Sequence, residues 1–282
     1  LWRKKGIERS NDVVKLPYLA YLAELGATDL HPLGERATGC LVAALRPQRG
    51  ERLLEVGCGT DQTMARLILD AGVHVDGVDV LPSMLRIARR RLQLTGAASR
   101  SALALASGSA LPWATGSYHA VYTESVLGFQ DAGTARRMLA ELRRVLQPGG
   151  RYVANEAVWK RGSDPAAAAA VYAAAVADFG SGPASPQFWT VDDWTRVMEE
   201  AGFQVACAVP LAEPSGAVTE PVDRPWRLQL STMLTAFYRL RGLLLPRLLR
   251  QRLRYRRLLA GHTHDGRYTE SWLFELRRPP GR

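Results

Sequence analysis

The chain has 282 residues, is 47% hydrophobic and 23% charged, and carries a formal net charge of +10. This is ordinary globular composition, too apolar for a disordered chain, and long enough for one large domain with insertions. No stretch approaches the ~20 uninterrupted apolar residues of a membrane span. The opening LWRKKGIERSNDVVK lacks the apolar core of a secretory signal, and Cys40, Cys58 and Cys207 are too widely spaced for a disulfide framework or a zinc site. Cytoplasm is the expected compartment.

In chain order, residues 12–26 have helical spacing interrupted by Pro17, Asp29 to Pro32 is a turn, and GERATGCLVAALRP from Gly34 is a second helix. ERLLEVG (51–57) is a buried strand, TMARLILDAG (63–72) a helix stopped by glycine, HVDGVDV (74–80) a strand and PSMLRIARRRLQLTG (82–96) a helix. SALALA (101–106) and YHAVYTES (118–125) are strands. Residues 135–150 form an amphipathic helix stopped by Pro148-Gly149-Gly150, followed by the strand RYVANEAVW (151–159). Strands alternating with helices in this way imply an α/β fold with a parallel sheet covered on both faces. Beyond Trp159 the alternation breaks into an alanine-rich helix (165–180), a capped helix (190–203), a strand (204–211), a basic leucine-rich segment (225–260) and a final strand (268–278). Residues 160–188 and 212–266 read as insertions at the sheet's functional edge. Within the second, Arg239 to Arg257 holds eight arginines and no acid. This segment is expected to act as a lid whose apolar face packs on the core, with peripheral contact with an anionic membrane through 231–260 as the other reading.

The stretch LLEVGCGTD (53–61) ends the first strand in an acid, Glu55, and places Gly57 and Gly59 in the strand–helix turn, where bare backbone lets a ligand approach. Asp79 ends the next strand, 22 residues after Gly57, and its carboxylate can accept both hydroxyls of a ribose. A dinucleotide fingerprint needs a third glycine; here Asp61 stands in its place, and its charge would repel a pyrophosphate. A ligand with a ribose, a positive charge and no phosphate suits both acids. S-adenosyl-L-methionine is such a ligand.

On these residues the chain resembles the class I S-adenosylmethionine-dependent methyltransferases, close to the quinone-biosynthesis and small-molecule group. LLEVGCGT matches the first motif, and GVDV with Leu81 the ribose-binding second strand. SGSALPWATGSYHAVYTESVL (107–127), LRRVLQPGGRYVANE (142–156) and TVDDWTRVMEEAGF (190–203) match later segments. The resemblance implies a Rossmann-like, seven-stranded, mostly parallel sheet with helices on both faces and helical lid insertions. Residues 1–33 would form an N-terminal helical cover and 34–282 the methyltransferase domain. It implies S-adenosyl-L-methionine held by Glu55, Gly57, Cys58, Gly59, Asp61, Asp79, Val80, Leu81, Ser109, Ala110 and Glu124. Asp61, Ser109 and His119 depart from the family pattern; Ser109 replaces an aspartate that accepts from the adenine amino group.

The expected reaction is methyl transfer by in-line displacement to a small, lipophilic or aromatic metabolite. Glu124 and Glu156, at the ends of their strands, and His31, in the turn DLHPLG, are the candidate bases. For His31, capping the helix at Gly34 or packing against Trp159 or Tyr18 is the structural alternative. Phe188 and Trp189 are the aromatic residues expected in the acceptor pocket. His262 and His264 are read as loop residues, and no metal is expected. A nucleic-acid methyltransferase, prompted by the net charge, and a non-methylating adenosylmethionine-binding protein are the competing functions. Against the former, strand four ends in TESV, not in the tetrad of amino-directed base methylation. Oligomeric state is not readable from the sequence.

Overall fold

The computed structural model describes residues 16–28, 30–211, 226–262 and 265–280. The expected helical start at 12–15, the early part of the second insertion (212–225), Asp29 and His264 lie outside the described residues.

Five strands alternate with helices as the sequence pattern requires, except that a loop joins the third strand to the fourth. They are β1 (Arg52–Val56), β2 (His74–Asp79), β3 (Ser101–Leu105), β4 (Tyr118–Glu124) and β5 (Leu146–Trp159). The helices up to β5 are α1 (Pro17–Glu24), α2 (Gly34–Leu45), α3 (Thr63–Ala71), α4 (Pro82–Thr95) and α5 (Ala132–Val145). Beyond β5 come α6 (Pro165–Phe179), α7 (Val191–Glu200), β6 (Gln204–Pro210), α8 (Trp226–Leu244), α9 (Pro246–Gly261) and β7 (Thr269–Arg277). The sheet has seven strands in the order β3-β2-β1-β4-β5-β7-β6. The pairings among β1 to β5 are parallel, and β7 runs antiparallel between β5 and β6.

β1 is buried on both faces from Leu53 to Val56, which fits the adjacent leucines Leu53 and Leu54. Adjacent residues of a strand point to opposite sides. Leu54 and Val56 pack with Leu139, Leu142 and Trp194. Leu53 packs on the other side with Leu41, Leu67, Val75 and Leu85. The winding reverses at β1, whose neighbours are β2 and β4, so the carboxyl ends of these three strands flank the switch-point crevice where such sheets bind ligands.

Two boundaries differ from the sequence reading. α5 starts at Ala132, because the Asp131 side chain caps it by accepting from the Thr134 amide at 2.9 Å. β5 begins at Leu146, because the segment up to Gly150 pairs back onto β4 through a register shift between Tyr118 and Ala120.

The second insertion packs on the core only in part. Leu228 of α8 joins the cluster of Leu53 and Leu85, and Leu248 and Tyr255 of α9 join that of Tyr21. The rest of what α8 buries is Ser231, Thr235, Tyr238 and Gly242, while Met233, Phe237, Leu240 and Leu244 stay exposed. The reason is Arg91 of α4, which is 0% exposed. Its guanidinium donates to the carbonyls of Thr60 (2.8 Å) and Gly26 (3.1 Å), to the Thr235 hydroxyl (3.3 Å) and to the Ser231 hydroxyl. A buried charge has to be hydrogen-bonded, and hydroxyls on α8 meet that need. One side chain thereby joins α4, the loop after β1, the turn after α1 and α8.

Among the described residues no helix is long and apolar enough to cross a membrane.

Candidate functional site

The switch-point crevice opens into a cleft roofed by Leu16, Leu19, Ala27, Thr28, Leu30 and His31. Its lining includes Glu55, Gly57, Cys58, Gly59, Asp61, Asp79, Val80, Leu81 and Glu124. Nine of the eleven residues expected to hold the cofactor therefore come together. Ser109 and Ala110 are not in the lining. The Ser109 hydroxyl turns back onto that of Ser107, 2.8 Å away, and Ala110 faces solvent.

The loop after β1 owes its shape to its glycines. Gly57 has φ +78°, and a Cβ there would lie 2.4 Å from a Val126 methyl. Gly59 has φ +54° with nothing within 4 Å of where a Cβ would be, so its bare face is open for a ligand to approach. Asp79 braces the loop from the neighbouring strand. One carboxylate oxygen accepts from the Gly59 amide at 2.9 Å and the other from the Leu81 amide at 2.8 Å. Burial raises its pKa, and these amides pull it back.

Four carboxylates line this one cleft: Glu55, Asp61, Asp79 and Glu124. Glu55 accepts from the Tyr122 hydroxyl at 2.8 Å. Burial first, then the charges of Asp61 and Glu124, push the Glu55 carboxyl well above the usual range. Asp61 is buried at φ +66°, and both of its oxygens lack a hydrogen-bond partner. The Met64 and Ala65 amides at the start of α3 face it without hydrogen-bond geometry. Burial raises its pKa to about 8, against the pull of Arg91. Such a cluster repels pyrophosphate and attracts a cation. An orphaned buried carboxylate, an open glycine face and an acid ending β2 fit a positively charged nucleoside with free ribose hydroxyls.

Asp61 yields a signed prediction. Its folded pKa lies above the unfolded value of ~3.9, so the stability it contributes is full below that value and lost as pH rises through about 8. Asp61→Asn, which tolerates the left-handed backbone, is expected to melt above the parent when ligand-free. The gap should widen from pH 5 to pH 8.5 and reach about 4 °C or more in a thermal-shift series. A gap that stays constant with pH would dismiss the titration.

Next to this cluster, His31 and Glu124 form a pair. The His31 Nε2 lies 3.0 Å from one Glu124 carboxylate oxygen, which also accepts from the Thr38 hydroxyl at 2.7 Å. The other oxygen accepts from the Thr63 hydroxyl at 2.8 Å. Burial would raise the Glu124 pKa, but His31, Thr38 and Thr63 outweigh it and hold the carboxyl below the usual range. Held by these three donors, Glu124 orients the imidazole. A network in which Nε2–H donates to Glu124 leaves Nδ1 unprotonated, accepting from the Asn155 amide nitrogen at 3.3 Å and also 3.3 Å from the Pro32 carbonyl. Through its backbone His31 also meets the start of α2, its carbonyl accepting from the Gly34 amide at 3.2 Å. Trp159 packs at a tilt on Phe188, and Tyr18 on Phe179 and Tyr255.

Glu156 does not face the cleft, contrary to expectation. It is 0% exposed and accepts from the amides of Val126 (3.2 Å), Leu127 (3.1 Å) and Gly128 (3.0 Å) and from the Thr123 hydroxyl (3.1 Å). Burial raises its pKa against those donors. Its work is to clamp the turn after β4, which keeps Val126 against Gly57. Phe188 and Trp189 also lie outside the cleft, packed on Trp159 and Trp194. His262 pairs with Asp178 at 2.9 Å.

The sequence reading missed Thr38 and Thr63, whose only signal was a threonine on the buried face of each helix. It also missed Leu16, Leu19, Met84 and Gln130 in the lining. Ser125 has φ +53° and a buried hydroxyl with no partner at the cleft wall.

A family described as a methyltransferase domain matches residues 53–150. The chain is 29% identical over 192 residues to the methyltransferase GfsG of Streptomyces halstedii, covering 67% of this chain and 66% of that one. It is 28% identical over 182 residues to the O-methyltransferase cnsE of Penicillium expansum, covering 64% and 62%. The chain thus spans a little under two thirds of the length of these relatives. In fold it is similar to the [4+2]-cyclase SpnF, with a TM-score of 0.64 at 17% identity, covering 88% of this chain and 82% of that one.

Proposed function

We propose that the chain is a class I S-adenosylmethionine-dependent methyltransferase and that it methylates a small, lipophilic or aromatic metabolite. The observation that carries this reading is the cleft itself: acid-lined on the side of β1 and β2, and walled by Leu16, Leu19 and Phe129 toward the roof. When bound, S-adenosyl-L-methionine supplies an electrophilic methyl group carried on a sulfonium.

The chain's own residues divide the remaining work. Gly57 to Gly59 and Asp79 would hold the ribose, and Val80, Leu81 and Met84 the base beside them. Asp61 and Glu55 would face the cationic end, whose charge would draw their burial-raised carboxyls into the ionised form. The apolar roof keeps water from the reacting centre and aligns the acceptor, which is most of what such a displacement asks of a protein. An acceptor that must lose a proton, a hydroxyl or an amine, would deliver it to the His31 Nδ1 by displacing the Asn155 amide there, while Glu124 holds the Nε2–H and stabilises the imidazolium. Glu124 is then a positioning residue, and Glu156 supports the site through the 126–128 turn.

Incubation with methyl-labelled S-adenosylmethionine and a fractionated metabolite extract tests the proposal. Label is expected in an organic-extractable small molecule. Absence of adenosylmethionine and adenosylhomocysteine binding by calorimetry at millimolar ligand would end it.

A further inference from the structure

α8 is built inside out. The face it turns inward carries Leu228 at its start, then Ser231 and Thr235 toward Arg91, and Tyr238, whose hydroxyl accepts from Arg90. The face it turns outward carries Met233 (63% exposed), Phe237 (58%), Leu240 (59%) and Leu244 (75%). These follow one another at spacings of four, three and four residues, so they form one continuous stripe. Trp226 heads the stripe, 66% exposed, and beyond the break at Pro246 α9 adds the exposed Leu249 and Leu253. A helix on a water-facing surface shows the opposite arrangement. An apolar stripe of this length marks an interaction surface.

The charges decide its partner. Residues 226–261 contain nine arginines and not one aspartate or glutamate. Arg239, Arg250, Arg252, Arg254, Arg256 and Arg257 are exposed, and Arg241 and Arg247 reach Glu24 of α1. A second copy of the chain would set nine arginines against nine, with no acid in either segment to pair them. A neutral apolar partner would bury arginines without a counterion. An anionic lipid surface satisfies both halves of the pattern: acyl chains receive the stripe, and phosphates meet the guanidinium groups.

We propose that α8 and the first turns of α9 lie flat on an anionic phospholipid bilayer, with Met233, Phe237, Leu240 and Leu244 inserted among the acyl chains. The docked helix is directly tied to the cleft. The Thr235 hydroxyl donates to the Gly26 carbonyl at 3.1 Å, and the next residue, Ala27, lines the cleft and accepts from the Thr60 hydroxyl at 2.6 Å. Docking therefore sets the roof of the cleft beside the membrane, where a lipophilic acceptor concentrates. That last step rests on the function proposed above; the docking itself does not.

Vesicle flotation of the purified chain tests it. Vesicles of phosphatidylcholine with about one third phosphatidylglycerol are expected to carry the protein at least tenfold better than phosphatidylcholine alone, with binding falling as salt shortens the screening length. Arg250→Gln and Arg254→Gln should each weaken binding about fivefold. The double variant Phe237→Ser, Leu240→Ser should weaken it about tenfold or more, with melting temperature and adenosylmethionine affinity unchanged. Equal flotation on neutral and anionic vesicles, or none on either, overturns the proposal. So does a concentration-dependent dimer that the Phe237→Ser, Leu240→Ser variant dissociates. None of these readouts requires methyl transfer, so an inactive protein that floats and an active one that does not are told apart.

Discussion

Asp79→Ala is expected to weaken S-adenosylmethionine and S-adenosylhomocysteine binding at least 100-fold by calorimetry while the protein remains folded. Asp79 ties two loops together, accepting from Gly59 on one and Leu81 on the other, and its carboxylate would receive the ribose hydroxyls as well. Hydrogen bonds to a charged acceptor contribute about 1.5–3 kcal/mol each, and two of them amount to roughly two orders of magnitude in affinity or more. Asp79→Asn keeps the volume, but its amide nitrogen would confront one of the two backbone N–H groups, so an intermediate loss of about tenfold is expected. Parent-like affinity in Asp79→Ala would move the ribose away from β2 and dismantle the proposed site.

His31→Ala is expected to lower kcat by about 10²–10⁴ on the methyl acceptor, the span of general-base catalysis, with adenosylmethionine affinity nearly unchanged. Added imidazole should restore part of the rate, which a purely structural role would not allow. Glu124→Gln should lower kcat less, by about 10–100-fold, because the base survives and only its tautomer and orientation are released. The protonation state of Glu124 adds a pH signature. Its folded pKa lies below the ordinary glutamate value of ~4.3, so its stabilising contribution is complete above that range and fades as pH falls through the depressed value. The pair is therefore intact across the neutral range, and Glu124→Gln should remove part of the protein's acid-induced loss of stability. A fall in cofactor affinity as large as the fall in kcat for His31→Ala would reassign the pair to binding.

What the sequence conveyed about the site was what backbone and charge dictate locally. Gly57, Gly59 and Asp79 could be placed because a tight turn after one strand and an acid ending the next are sequence patterns with a single spatial outcome. The long alternating segments up to β5 were readable for the same reason. Glu156 was misplaced because it adjoins Asn155, and adjacent strand residues point to opposite faces. Asn155 reaches His31, whereas Glu156 turns away to the amides of the 126–128 turn. No motif states which of two neighbours takes the ligand's side. Ser109 was misplaced because a loop's course depends on packing: a Cβ on Gly108 would lie 2.6 Å from Met138 and 2.8 Å from Val56, which holds the segment close against α5 and β1. The leucines of 231–260 suggested core contacts by composition. The direction they face was decided by Arg91, a residue 140 positions from Ser231 in the chain.

β7 carries a consequence for how the chain is made. β6 joins the sheet only through β7, which also covers the open edge of β5. About sixty residues separate the end of β6 from the start of β7. At ribosomal speeds of roughly 5–20 residues per second, β5 and β6 wait several seconds with unsatisfied edges before their shared neighbour emerges. During biosynthesis the nucleoside half, β1 to β5, can assemble first, and the last antiparallel strand then seals it. Truncations that remove residues 269–277 should accordingly yield aggregation-prone nascent chains even though they delete nothing from the cleft.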